Sequence, residues 1–444
     1  MSDLIDVGVY RSGVQERNAR AALMQRLYFG SLVIAIIVLI LLLANVVNQS
    51  FGLVAQRFAV DPDTLASNPL DQLSAPELAQ VLLENVPRRL LVIARDNLYT
   101  GDPANFTSTT FGEIVGSGTV SDELRDVIPK DLAEAQRNVA FAEVLGANLS
   151  QEQLFALVDF EIIKTEIDKG WPLHESLLNR AAIEAEVAED YPGAELVFKS
   201  WLSPRFVTSP LSSKPVETGI RQAVLGTIWL LGMTVLIAFP LGVGAAIYLE
   251  EYASDNWFNR LIETNIRNLA GVPSIIYGML GLTIFVRTLE GVTGGRSIFA
   301  GALTMSLLIL PVIIINAREA LRAVPSTIRE ASYGLGATRW QTISRQVFPS
   351  ALPGMLTGTI LGLSRAIGET APLFGIASTF INTDPTSPFS RFTVLPMQIY
   401  SWTGQPSELF RFNASATIIL LLVILLTMNS VAIVLRNRAV NQRA

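Results

Sequence analysis

Arg365 and Glu369 stand four residues apart in LTGTILGLSRAIGETAPLFG, a run otherwise apolar enough to cross a bilayer, and Thr370 follows directly. A charged side chain near the middle of a bilayer costs at least about 2.5 to 3.5 kcal/mol on insertion scales, so such groups face a protein interior or a watery path. Arginine stays charged at any physiological pH and offers planar, paired donors that match oxyanion oxygens. Glu369 can hold the guanidinium in place and, by repelling an anion, keep binding weak enough for release; Thr370 adds a hydroxyl donor. The other reading is a structural i,i+4 ion pair, for which arginine ahead of glutamate is the less favourable order. Gly368, Pro372 and Gly375 predict an interrupted helix here, with freed backbone amides along a path.

A second constellation lies just upstream, in AREALRAVPSTIREASYGLGATRWQTISRQVFPSALPG, which is too polar for lipid. Pro325-Ser326 and Glu330-Ala331-Ser332 begin short amphipathic helices, and Gly334 and Gly336 permit a sharp turn between them. Trp340 and Ile343 are available for contact, so the segment could insert into a groove on another protein. A helix lying at the membrane surface fits the residue types equally well.

These two segments need a frame to hold them, and composition says which. The chain has 444 residues, 50% of them apolar and only 16% charged, with a mean hydropathy of +0.41. A purely water-soluble protein is a strained reading of those figures. The net charge of -6 conceals a division: residues 48–219 carry 26 acidic and 13 basic side chains, net -13, leaving +7 for the rest. All five lysines (Lys130, Lys164, Lys169, Lys199 and Lys214) lie in the acidic part. The absence of cysteine excludes disulfides, thiolate metal sites and cysteine nucleophiles. The single histidine, His174, reads as a surface residue, and no metal site is expected.

Apolar spans are expected at Leu27 to Val47, Ala223 to Leu249, Leu269 to Phe285, Ile298 to Asn316, Ala351 to Phe380 and Ala414 to Leu435, six in all. Arginines at 11, 17, 20 and 26 put residues 1–26 in the cytoplasm. An even number of spans returns the tail, 436–444, to the same side. Arg318, Arg322, Arg329, Arg339 and Arg345, together with Arg436, Arg438 and Arg443, all fall on that side too. Pro240, Pro273 and Pro311 predict kinked, closely packed helices. Between the first two spans, residues 48–219 read as a mainly helical extracytoplasmic domain. Ser74-Ala-Pro-Glu77 is a capping box ahead of Leu78, Val81 and Leu82; further helices are expected from Ser150 and over Leu173 to Asp190. The acidic excess reads as a solvated surface, with a docking face as the alternative.

Glu330-Ala331-Ser332, then Gly336, then Phe348-Pro349 resembles the EAA loop of ABC importer permeases. Ser332 replaces the motif's second alanine, Gln346 its isoleucine and Phe348 its leucine. LPGMLTGTILGLSRAIGETAPL, NLAGVPSIIYG around Pro273, and the segment from LGTIWLL to AAIYLEEYA narrow the resemblance to PstA-type permeases of phosphate importers. It covers the chain from Glu217 onward, with the first span; the long domain between spans one and two departs from the family. The resemblance implies an all-α membrane protein of the type I ABC importer permease fold, with six transmembrane helices, in the bacterial inner membrane. It implies that Glu330 and Gly336, with Ala331 and Arg339 nearby, contact the ATPase, and that Arg365, Glu369 and Thr370 lie beside the translocation pathway.

Implied partners are a second, PstC-like permease, two copies of a PstB-like ATPase that binds ATP and magnesium, and a PstS-like extracytoplasmic phosphate-binding protein. Independently, the chain contains no G-x-x-x-x-G-K-[ST], and its membrane half has no lysine to serve such a loop, so ATP must bind elsewhere and no enzymatic activity is expected of this chain. A permease for sulfate or molybdate is the nearest alternative. A membrane receptor with a sensing outer domain explains the long insertion but neither Arg365 nor the EAA-like loop.

Overall fold

The computed structural model describes residues 7–66, 68–86, 91, 134–381 and 383–441. Contacts divide the chain into two units: residues 1–51, 200–213 and 219–444 form one, and residues 52–199 with 214–218 the other.

The smaller unit holds two apolar cores. Helices α2 (Ala75–Asn85), α3 (Glu134–Asn148) and α4 (Gln151–Val158) share the first. Leu78, Leu82, Phe141, Leu145, Leu154 and Leu157 meet there, the i and i+4 positions of α2 turning one face inward. The expected capping box opens α2: Glu77 accepts from the Ser74 amide and hydroxyl, each at 2.7 Å. These bonds hold the Glu77 carboxyl below its ordinary pKa.

The second core lies against a three-stranded sheet of order β2-β1-β3, made of β1 (Phe51–Arg57), β2 (Glu166–Gly170) and β3 (Glu195–Ser200). β1 and β2 are antiparallel, pairing Val54 with Gly170 and Arg57 with Glu166 across a bulge at Ala55/Gln56. Gly52 is required here, because a Cβ would lie 1.9 Å from the Trp171 carbonyl oxygen. The stretch 173–190, expected as one helix, is two: α5 (Leu173–Leu178), which carries an exposed His174, and α6 (Arg180–Asp190). They break at Asn179, whose φ of -119° and ψ of 26° leave the helical region.

Among the described residues of the larger unit, five helical segments are long and apolar enough to cross a membrane. They are the 21–50 part of α1 (Val7–Ser50), α7 (Arg221–Ile247) with its π-helical extension to Tyr252, α10 (Ile298–Arg322), the run 339–368, and the 409–434 part of α15 (Leu409–Asn441). The expected third span differs. It is a pair, α8 (Trp257–Leu269) and α9 (Ser274–Gly281), the latter continued as a π-helix through Thr288, and the pair is bent by 102°. Pro273 caps α9 at the break; it lacks an amide hydrogen, and together with Gly271 it ends the helical pattern.

Pro240 and Pro311 lie inside α7 and α10, as expected. Small residues let these helices close on their neighbours: a Cβ on Gly242 would lie 2.6 Å from Ile313 Cγ2, and one on Gly358 would lie 2.2 Å from Asn316 Cβ. The expected fifth span ends early. After two short helices, α11 (Ser326–Gly334) and α12 (Arg339–Thr342), helix α13 runs from Phe348 to Gly368 and stops. The apolar residues beyond it fold back as a turn, with Leu373 and Ile376 buried in the unit's core. Helices α14 (Leu395–Thr403) and α15 (Leu409–Asn441) complete the chain.

Candidate coupling and translocation sites

The polar loop between α10 and α13 is a helical hairpin with a rigid turn. Leu335 at the turn is 91% exposed, and Gly336 has a φ of +79° with open space where a side chain would go. That left-handed conformation is what its glycine permits and an L side chain resists. Thr338 then caps α12 reciprocally: its hydroxyl accepts from the Gln341 amide at 3.3 Å, and Gln341 Oε1 accepts from the Thr338 amide at 2.9 Å. The Ser332 and Thr342 hydroxyls, 2.8 Å apart, tie the two short helices together.

Glu330, Ala331 and Arg339 are all exposed on this hairpin, and the Arg339 guanidinium sits 5.2 Å from the Tyr252 ring centroid, a cation–π distance. Trp340 is exposed as expected. Ile343 is not: at 1% exposure it is committed to packing beneath the hairpin and is unavailable to a partner.

Sequence reasoning missed what holds the hairpin's root. Arg329 Nη2 donates to Glu251 Oε1 at 2.7 Å and to the Leu321 carbonyl at 3.0 Å, while Nη1 donates to the Val324 carbonyl at 2.7 Å. Beside it, Glu250 accepts from Arg322 at 2.9 Å and from Arg318 at 3.3 Å, and Arg318 reaches Glu263 of α8 at 3.2 Å. Two adjacent sets of ion pairs therefore hold the end of α7: Glu250 and Arg318 link it to α10 and to the middle of α8, and Glu251 and Arg329 link it to the start of α11. A signal was present: Glu250 and Glu251 close an uncharged span, and arginines 318, 322 and 329 sit at the end of another.

At the other end of α13, Arg365 and Glu369 come together, with Arg365 Nε 3.4 Å from Glu369 Oε1. The arginine side chain is 58% exposed, although it belongs to an apolar span. Glu369 is the residue at which the helix gives way, its ψ of 110° being extended rather than helical. Thr370 begins the turn Ala371–Leu373, its carbonyl accepting from the Leu373 amide at 3.1 Å. Gly375 takes a φ of +88°, and Gly278 of α9 lets this turn approach closely, since a Cβ there would lie 2.9 Å from the Ala371 oxygen. On the neighbouring turn of α13, Ser364 bonds Asn429 of α15 at 2.7 Å. The two sets of residues singled out from the sequence thus form separate sites at the two ends of α13, whose 21 residues measure about 30 Å.

Residues 238–440 match the family described as binding-protein-dependent transport system inner membrane component. The chain is 38% identical over 205 residues to the probable ABC transporter permease protein YqgI of Bacillus subtilis (strain 168), covering 45% of this chain and 68% of that one. It is 35% identical over 227 residues to the phosphate transport system permease protein PstA 1 of Mycobacterium tuberculosis (strain ATCC 25618 / H37Rv), covering 51% and 72%. Among solved structures, the inward-facing MetNI methionine ABC transporter matches at 18% identity and a TM-score of 0.40, over 51% of this chain and 99% of that one.

The chain belongs to the family of binding-protein-dependent transport system inner membrane components, the permease subunits of ABC transporters. It is an integral membrane transport subunit that works with other ABC components, and not an enzyme.

Proposed function

We propose that this chain is the permease subunit of an ATP-driven importer of inorganic phosphate. The observation that carries the reading is Arg365: a guanidinium 58% exposed on a membrane span, engaged through Nε with a carboxylate one turn on. Its terminal amino groups remain for a doubly anionic ligand, and a guanidinium suits phosphate oxygens geometrically. The names of relatives such as the PstA proteins of Mycobacterium tuberculosis and Yersinia pestis support phosphate as the cargo. In this reading Glu369 restrains the arginine and hastens release, and Thr370 contributes a hydroxyl.

Drive comes from elsewhere. The hairpin carrying Glu330, Ala331, Gly336 and Arg339 docks an ATPase subunit that binds ATP and magnesium, two copies serving this chain and a second, PstC-like permease. A PstS-like protein delivers phosphate from outside. The arginine bias of the segments supports an orientation with both termini in the cytoplasm and residues 48–219 outside, in the bacterial inner membrane of this reading.

The test is reconstitution with the candidate partners in vesicles, measuring ATP-dependent uptake of phosphate against sulfate. Phosphate uptake that sulfate does not compete with is expected; sulfate uptake without phosphate uptake would sink the substrate assignment.

A further inference from the structure

Helix α8 lies at 102° to the segment that follows it, and none of its residues is buried. Its residues nevertheless segregate. Phe258, Leu261 and Leu269 lie on one side and are exposed, with Trp257, 73% exposed, at its edge beside Thr264, while Arg260 and Arg267 lie on another and are exposed too. The third side faces the protein: Ile266 packs against the core that α7 and α10 share, and Glu263 pairs with Arg318 at 3.2 Å. That pair fixes the helix at the level where α10 ends, beside Arg322.

We propose that α8 is an interfacial helix, lying in the plane of the membrane surface at the end where α10 terminates. Its apolar side enters the acyl boundary, and Arg260 and Arg267 meet the headgroup phosphates of anionic lipid. An amphipathic helix of this kind, with a tryptophan and leucines on one face and arginines on the other, binds a lipid surface through buried apolar area and attraction to anionic headgroups. The near-right angle is what such a placement requires if α9 crosses the bilayer. The chain passes directly from α8 into α9, whose Ile275, Ile276, Met279 and Leu280 are themselves exposed, as side chains that meet lipid are. The inference concerns how the subunit is seated and is independent of its cargo.

The chain has no cysteine, so single labels can be placed cleanly. Phe258→Cys and Thr264→Cys, each carrying a nitroxide, are compared in the full chain reconstituted in phosphatidylcholine–phosphatidylglycerol vesicles. The readout is collision with lipid-soluble oxygen relative to a water-soluble nickel chelate. A severalfold higher oxygen-to-nickel ratio at Phe258 than at Thr264 is expected. Equal, water-like access at both positions overturns the proposal, as does shielding of Phe258 from both reagents, which would mean that the face packs on protein. Should Phe258→Cys fail to insert, Leu269→Cys reads the same face.

Discussion

Arg329 Nη2 lies 2.7 Å from Glu251 Oε1, and the carboxylate is only 6% exposed. The pair joins the root of the exposed hairpin to the end of a span 78 residues earlier in the chain. Removing one partner of a buried pair leaves the other charge uncompensated, which costs about 3 to 5 kcal/mol. Glu251→Ala or Arg329→Ala should therefore lower the denaturation midpoint of the solubilised protein, and Glu251→Leu with Arg329→Met should lower it less than either alone. Single variants that unfold with the wild type would refute the role assigned to this pair.

Gly336 supplies a different test of the hairpin. Its φ of +79° costs an L residue roughly 1 to 2 kcal/mol, more if branched at Cβ, and no neighbouring atom would be struck by the new side chain. Gly336→Val should thus reshape the turn without disturbing membrane insertion, and capture of the ATPase subunit in a pull-down should fall steeply. Gly336→Asn, which tolerates the left-handed region, should retain most of it. Equal capture by both variants would mean that the turn does not present the docking surface.

The acid limb of stability in the smaller unit should depend on Glu77. Hydrogen bonds from Ser74 depress its pKa below the ordinary value of 4.5. A depressed folded-state pKa means stability fully present above that ordinary value and lost as pH falls through the folded one. The protection of the α2 amides in the intact protein, their exchange rate taken relative to the intrinsic rate at each pH, should fall over that window, and Ser74→Ala should weaken the pH dependence. Wild-type protection that does not change with pH would contradict the linkage.

What could be seen in the sequence was whatever depends on neighbours along the chain. The Ser74–Glu77 box, the inward face of Leu78 and Leu82, the glycine turn at Gly336 and the Arg365–Glu369 spacing all act within a few residues. The features that were hidden depend on partners far away. β1 follows a 44-residue helix directly, and its partner strand lies more than 100 residues on, so nothing beside it in the chain marks it as a strand. The charges at Glu250 and Glu251 and at arginines 318, 322 and 329 stand in plain view along the chain, but which pairs with which is set only when the fold brings Arg329 to Glu251. Beyond Gly368, Leu373, Ile376 and Ala377 extend the apolar run because they pack inside the protein, and composition alone does not distinguish burial in protein from burial in lipid. Ile343 was misjudged for a related reason: beside an exposed Trp340, it falls on the inward turn.

The pairing of Arg365 with Glu369 makes opposite predictions for its two members, which separates a pathway role from a structural one. If the arginine meets the anion, Arg365→Gln removes a charged hydrogen-bonding group worth about 1.5 to 3 kcal/mol, and uptake should fall by roughly tenfold to a hundredfold. Arg365→Lys keeps the charge but loses the paired donors, so it should recover only part of the rate. Glu369→Gln removes the carboxylate that competes with the anion for the guanidinium. Phosphate should then bind more tightly and leave more slowly, lowering KM and the maximal rate together. A structural ion pair predicts something else: both single substitutions would reduce the amount of folded transporter and leave KM unchanged. Measuring uptake as a function of phosphate concentration, normalised to inserted protein, distinguishes the two, because only a residue that touches the cargo changes KM.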